Sequence, residues 1–234
     1  MRSSNRVSNG RSTKKDHIAE QLRSMIRSGD LARGARIHQD ALAEQFNTSI
    51  TPVREALRQL EAEGLLDSAP HRGVRVSETS PEAQDGIYVA RRLLESFATQ
   101  LAAQRFSRRN ILRARELIES MRAAGLAGDS AAVRQHNRDF HFLIYERSGI
   151  PSLVETIDGL WLSFPWDTNE VLDPDACKAV DEHAAILDAI EEGNSAEAGA
   201  ALGRHLRRSY HDLVQKLSGS PLEEDPFDEV ESMP

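Results

Sequence analysis

The stretch from Gln39 to Val76 constrains the fold more than any other, because it encodes helix, tight turn, helix and hairpin in immediate succession. Within Gln39-Asp40-Ala41-Leu42-Ala43-Glu44-Gln45-Phe46, the residues Leu42, Ala43 and Phe46 recur at one-turn spacing, so this segment buries one apolar stripe. Asn47 breaks the pattern. Thr48-Ser49-Ile50-Thr51-Pro52 then sets hydroxyl side chains before a proline, which is the chemistry of a helix start near Thr51 or Pro52. Along that helix Val53, Ala56, Leu57, Leu60 and Leu65 face inward, whereas Ser49, Thr51, Arg54, Glu55 and Arg58 crowd its N-terminal end. In helix-turn-helix motifs that end enters a DNA major groove. Gly64 closes the helix, Leu65-Leu66 opens a strand, and Pro70-His71-Arg72-Gly73 turns the chain before the alternating Val74-Arg75-Val76. A basic turn at a hairpin tip suits phosphates or a minor groove.

With its flanks, this region resembles a known family. Ile18-Ala19-Glu20-Gln21-Leu22 with Ile26, Gly29, Leu31 and Gly34 leads in, followed by Leu42-Ala43 and Pro52-Val53-Arg54-Glu55-Ala56-Leu57. Leu60-Glu61, Glu63-Gly64-Leu65, Arg72-Gly73 and Val76 complete a pattern similar to the winged helix-turn-helix domain of GntR-family transcription regulators, from about Lys14 to Ser77. The resemblance implies DNA contact by Ser49, Thr51, Arg54, Arg72 and Gly73. One position departs: the family usually carries Ser-Arg-x-Pro-Val-Arg where this chain has Ser49-Ile50-Thr51-Pro52-Val53-Arg54. Arginine to guanine is the commonest specific major-groove contact, and Ile50 offers at most contact with a thymine methyl. The operator is therefore expected to differ from that of typical relatives, or to be read more through Arg54, Thr51 and the wing.

With 234 residues, 39% of them hydrophobic, the chain has material for two modest domains. The lone Cys177 excludes an internal disulfide, and no apolar run approaches the roughly 18 to 20 residues that span a bilayer. Met1-Arg2-Ser3-Ser4-Asn5-Arg6 lacks the apolar core of a secretion signal, so a cytoplasmic protein with no membrane partner is expected. A net charge of −8 argues against nucleic acid until its distribution is read. Residues 1–80 carry 13 Lys and Arg against 10 Asp and Glu, and the remainder carries 16 against 27. Residues 1–13 read as a disordered basic arm, 14–78 as the DNA-binding domain, 79–218 as an effector-binding and dimerisation domain, and 219–234 as a disordered acidic tail.

Ser80-Pro81 is a cap-and-first-turn pair that starts the second domain, with Ser77 to Ser80 as the joint and suspected pivot. Helices are expected over 81–105, 108–127, 130–148, 151–168, 174–192 and 195–217, an all-α antiparallel bundle with sites between facing helices. The fold class is thus mostly α. Asn137 and His141 lie four positions apart and share one helix face. His183 lies ten residues before Gly193 and His205 ten residues after Ser195, so a reversal there brings both imidazoles to matching depth. Neutral imidazole suits zinc, nickel, copper and iron(II), and an amide oxygen can complete such a set. Glu182 is turned about 100° from its neighbour and Asp139 about 200° from His141, so both are expected to point away.

Asn137-Arg138-Asp139-Phe140-His141, Glu182-His183 and His205-Leu206 resemble the C-terminal FCD-type effector domain of the FadR subfamily, in its six-helix, VanR-like variant. The resemblance implies that Asn137, His141, His183 and His205 bind a divalent metal, zinc, nickel or manganese, which helps hold a small carboxylate effector. Asn137 stands where an acid is more usual. It also implies that Arg91, within Arg91-Arg92-Leu93-Leu94-Glu95, faces the effector carboxylate; helical spacing alone allows an ion pair with Glu95 instead. Leu160 to Trp166 either lines the pocket or packs the core.

The function expected is a transcription regulator, a repressor, that binds a palindromic operator as a homodimer under effector control. Two other readings remain: a regulator for which the metal itself is the signal, and a metal-dependent hydrolase or oxygenase. The enzyme would need a general base, and the helices bearing His141 and His183 offer no obvious inward carboxylate.

Overall fold

The computed structural model describes residues 13–69, 73–77, 81–163, 176–219, 222 and 225–231, in two compact units that divide after residue 78. Among the described residues no helix is long and apolar enough to cross a membrane. Arg72, the basic arm before Thr13, the joint beyond Ser77 and the segment Phe164-Pro165-Trp166 lie outside the described residues.

In the first unit, α1 (Lys14–Ser28) opens on a capping box in which Thr13 and Asp16 satisfy each other's backbone N–H groups, and it ends at Gly29 in the left-handed region. Next come β1 (Arg36–Ile37), α2 (Gln39–Gln45), α3 (Ile50–Ala62), β2 (Leu66–Ala69) and β3 (Gly73–Val76). The strands form an antiparallel sheet in the order β1-β3-β2, with Ile37 opposite Val74 and Leu66 opposite Val76. Alternation puts Val74 and Val76 into a core shared with Ile18, Leu22, Leu42, Val53, Leu57 and Leu60. The turn lies where Asn47 breaks the pattern, and only the helix start after it differs from the sequence reading. Asn47 adopts φ +46°, the left-handed conformation that reverses the chain between α2 and α3. The helix starts at Ile50 rather than Thr51 or Pro52, and Ser49 occupies the cap position without its hydroxyl making the cap bond.

The second unit holds α4 (Pro81–Ala103), α5 (Arg108–Ala127), α6 (Ser130–Tyr145) extended by a 3-10 turn to Ser148, α7 (Pro151–Ser163), α8 (Ala176–Glu191), α9 (Ser195–Ser218) and α10 (Pro226–Glu231). The side chains of Ser107, Asp129 and Asn194 accept from backbone N–H groups of the helices they precede, which fixes the starts of α5, α6 and α9. Ala98, Leu117, Phe140, Ile144, Tyr145, Ile157, Trp161, Ile186, Leu187 and Leu202 fill the interior. Helix α9 lies along α4 closely enough that a Cβ on Gly199 would stand 2.6 Å from Gln100 Cγ.

The acidic tail is a correction. Expected to be disordered from residue 219 onward, it forms α10, whose Phe227 is fully buried against Tyr88, Tyr210 and Leu213. Arg207 pairs with Asp225 and Asp228, and His211 Nε2 lies 2.7 Å from Asp225. One aromatic side chain and an acid match to basic groups on α9 suffice to order a segment whose composition alone suggests solvation.

Candidate functional sites

The first site is the exposed end of α3. Ser49, Thr51, Arg54 and Arg58 are all exposed there, while Val53, Ala56, Leu57 and Leu60 of the same helix are buried. Arg54 Nε donates to Gln39 Oε1 at 3.0 Å, tying the start of α3 to the start of α2. Ile50 is the first helical residue and is partly exposed. Gly73 has φ +76°, a conformation that favours glycine, and the Arg36 guanidinium lies 3.5 Å from where its Cβ would stand. Sequence reasoning missed Arg36 as a site residue. It faces Arg75 across β1 and β3, and both side chains lie on the exposed face of the sheet. The alternation of Val74-Arg75-Val76 already pointed Arg75 outward; only the pairing register brings Arg36 beside it.

The second site lies inside the helical unit. His141 on α6, His183 on α8 and His205 on α9 are 1%, 2% and 7% exposed, and one nitrogen from each ring lies within 4.8 Å of the other two. The Nε2 atoms of His141 and His183 are 3.0 Å apart. Burial, reinforced by the neighbouring imidazoles, holds His141 and His183 well below the ordinary histidine range. Neutral rings are the form that binds a metal.

The outer partners fix which nitrogen can serve as a ligand. His205 Nδ1 lies 2.8 Å from Glu182 Oε2, and a carboxylate only accepts, so Nδ1 donates and Nε2 is the available ligand position, on the side of the other two rings. Tyr145 donates its hydroxyl proton to Glu95, so its oxygen, 3.1 Å from His141 Nδ1, accepts from that nitrogen. His141 Nε2 is then bare. His183 Nδ1 is buried without a hydrogen-bond partner among the described residues. Three buried imidazoles, two of them oriented by outer hydrogen bonds, fit a divalent metal of borderline softness.

Two carboxylates depart from the sequence reading. Glu182 does not point away: its position around α8 from His183 sends it toward α9, where it meets His205 and accepts from Arg208 Nε at 2.5 Å. Burial alone would raise its pKa, yet those two partners hold it below the usual carboxylate value. Glu95, fully buried on α4, is an inward carboxylate contributed by neither of the helices considered. It accepts from Arg91 Nε at 2.7 Å and Trp161 Nε1 at 3.0 Å. Arg91 is 3% exposed and stacked between Tyr88 and Trp161, 5.2 and 5.0 Å from their ring centres, so its partner in this structure is Glu95. Asn137 sits one turn before His141 on α6 and is partly exposed. Asp139 accepts from Gln135 at 2.8 Å on the outer side. Trp161 both packs the core and lines the site, its ring 5.3 Å from that of His141.

Comparison with known proteins places both halves. Residues 14–76 match the bacterial regulatory proteins of the gntR family, and residues 86–208 match the FCD domain. The chain is 36% identical over 145 residues to the HTH-type transcriptional regulator McbR of Escherichia coli, an alignment covering 62% of this chain and 66% of that protein, just under two thirds of its length. It is 30% identical over 198 residues to a protein of Paenarthrobacter nicotinovorans named a probable D-xylose utilization operon transcriptional repressor, covering 81% of this chain and 85% of the relative. The solved structure of E. coli McbR/YncC superposes with a TM-score of 0.80 at 28% identity, over 88% of this chain and 99% of that one. A winged head joined to an all-helical FCD unit therefore makes this chain a transcription regulator of the GntR family, not an enzyme.

Proposed function

We propose that this regulator binds a palindromic DNA operator as a homodimer and represses until a small carboxylate effector seats over a divalent metal in its helical domain. The observation that carries the sensing half is the meeting of three buried imidazoles from α6, α8 and α9. His141, His183 and His205 would hold the ion, with Asn137 as the fourth protein donor. Nitrogen donors favour zinc or nickel over manganese. When bound, the metal supplies Lewis-acid attraction for an acid group, and the protein's own side chains orient and enclose it.

On the DNA side, Ser49, Thr51 and Arg54 would reach the major groove, and Arg72 and Gly73 the adjoining phosphates or minor groove. Arg36 supports that role: it stands at the outer end of the exposed row Arg36, Arg75, Asp67, where a cation suits a polyanion. A two-fold operator requires a two-fold protein. Leu93 and Phe97, one turn apart on α4 and about half exposed at 52% and 48%, are the surface on which we place the second copy.

Elemental analysis with native mass spectrometry, followed by gel shift with genomic fragments, tests the reading. One metal per chain, a dimer, and retarded bands released by an organic acid are expected. A metal-free monomer that ignores every duplex at low salt would end it.

A second reading, with the metal itself as signal, is favoured by one observation: Arg91 already has an anion, Glu95. If Arg91→Ala leaves induction intact while His183→Ala abolishes it, the metal-sensor reading replaces the carboxylate one.

A further inference from the structure

Glu95 joins the two ends of the sensing site. Its Oε1 accepts from Arg91 Nε at 2.7 Å and from Trp161 Nε1 at 3.0 Å, its Oε2 accepts the Tyr145 hydroxyl, and the Tyr145 oxygen stands 3.1 Å from His141 Nδ1. Every donor in this run has a defined direction, because the carboxylate can only accept. The side chain is 0% exposed. So complete a set of donors describes a carboxylate binding site, and the carboxylate in it belongs to the protein.

A buried guanidinium requires an anion, and removing that anion leaves an uncompensated charge in a low-dielectric interior. Arg91 has its cation between two aromatic rings and its Nε on Glu95. An incoming acid that reads Arg91 therefore meets a rival already in place and attached to the same helix four residues away. A neutral ligand cannot take Arg91 from Glu95, since the exchange would strip a buried ion pair of one charge. An external carboxylate can, because it brings a matching planar anion.

We propose that Glu95 is a tethered competitor for Arg91, which sets the concentration at which a carboxylate effector is sensed and excludes neutral molecules of the same size. The proposal rests on the carboxylate-effector reading above and adds the residue that tunes it. Trp161 reports the exchange directly, because its indole N–H loses its acceptor when Glu95 leaves.

The test uses the zinc-loaded protein, with Trp166→Phe leaving Trp161 as the sole indole of the two in the chain. Acetate, lactate and malonate are titrated into this parent, into Glu95→Gln, and into Glu95→Gln combined with Arg91→Ala, by calorimetry and by Trp161 emission. Glu95→Gln is isosteric and is expected to bind at least one of these acids tenfold or more tightly than the parent. The added Arg91→Ala should erase that gain, as pairwise coupling requires. Acid binding to the parent should also shift Trp161 emission. Equal affinity of Glu95→Gln and parent for an acid that both bind overturns the proposal and leaves the carboxylate reading standing. If zinc is held but no acid binds any of the three proteins, the carboxylate reading fails and the competitor falls with it. Should Glu95→Gln fail to fold, the parent decides: heat of acid binding without a change in Trp161 emission overturns the proposal.

Discussion

The Nε2 atoms of His141 and His183 face each other at 3.0 Å inside the helical unit. Because His141 Nδ1 is committed to Tyr145, the metal-free protein must bridge this gap with a proton on His183 Nε2, leaving His183 Nδ1 bare and without a partner. A dication would replace that proton and let Nδ1 take it. His183→Ala is accordingly expected to drop zinc from one ion per chain to a trace after dialysis, as read by elemental analysis.

Acid should destabilise the metal-free protein from a defined point. Burial holds His141 and His183 well below 6.5 in the fold, whereas both titrate near 6.5 when unfolded. Below that value the unfolded chain binds protons that the fold refuses, so stability falls with pH, by up to about 1.4 kcal/mol per unit for each histidine. Urea midpoints of chelator-treated protein should fall between pH 7.5 and 5.5. His183→Gln should flatten the slope, and an unchanged slope in that variant would contradict the assignment.

Glu182 accepts from His205 Nδ1 at 2.8 Å. Glu182→Gln keeps the shape but replaces a charged acceptor with a weaker one, and loss of such an outer partner typically lowers metal affinity about 10- to 100-fold. Competition with a zinc chelator measures this, with circular dichroism checking that the fold is retained.

In the amino-terminal unit, Arg54 is exposed and donates to Gln39 at the surface. Arg54→Ala should leave the melting temperature unchanged within a degree or two and weaken operator binding by about 1–3 kcal/mol if the contact is to a base. Binding curves at several salt concentrations distinguish a phosphate contact, which would also lower the salt slope.

Phe227 anchors the tail. Phe227→Ala removes a fully buried ring from a six-residue helix, so the expected loss is that of burying one aromatic side chain, about 1.5–3 kcal/mol. Denaturant titration measures it, and proteolysis should then cut after α9 first.

The sequence made the helices of both units legible because their periodicity and caps are local: Ser107, Asp129 and Asn194 act within three residues of where they stand. The convergence of His183 and His205 was legible too, since a single reversal at Gly193 sets it. The two carboxylates were harder. Glu182 was placed by angle alone, but a long side chain reaches across to a neighbouring helix, and what waits there, His205 and Arg208, depends on packing. Glu95 appeared only as a spacing partner of Arg91; its links to Tyr145 and Trp161 join α4 to α6 and α7, separations of 50 and 66 residues that no local pattern encodes. The tail was misread because one buried ring among many acids orders it, and composition does not register a single contact.

Arg36 and Arg75 stand opposite each other in neighbouring strands, an arrangement that costs energy in an isolated sheet. Asp67 faces the same Arg75 from β2, on the other side, so the exposed row reads Arg36, Arg75, Asp67 and the like-charge contact is offset by an opposite one. Raising ionic strength screens both contacts alike, so it should leave the melting of the amino-terminal unit nearly unchanged while loosening its hold on duplex, and one solution variable separates its two properties.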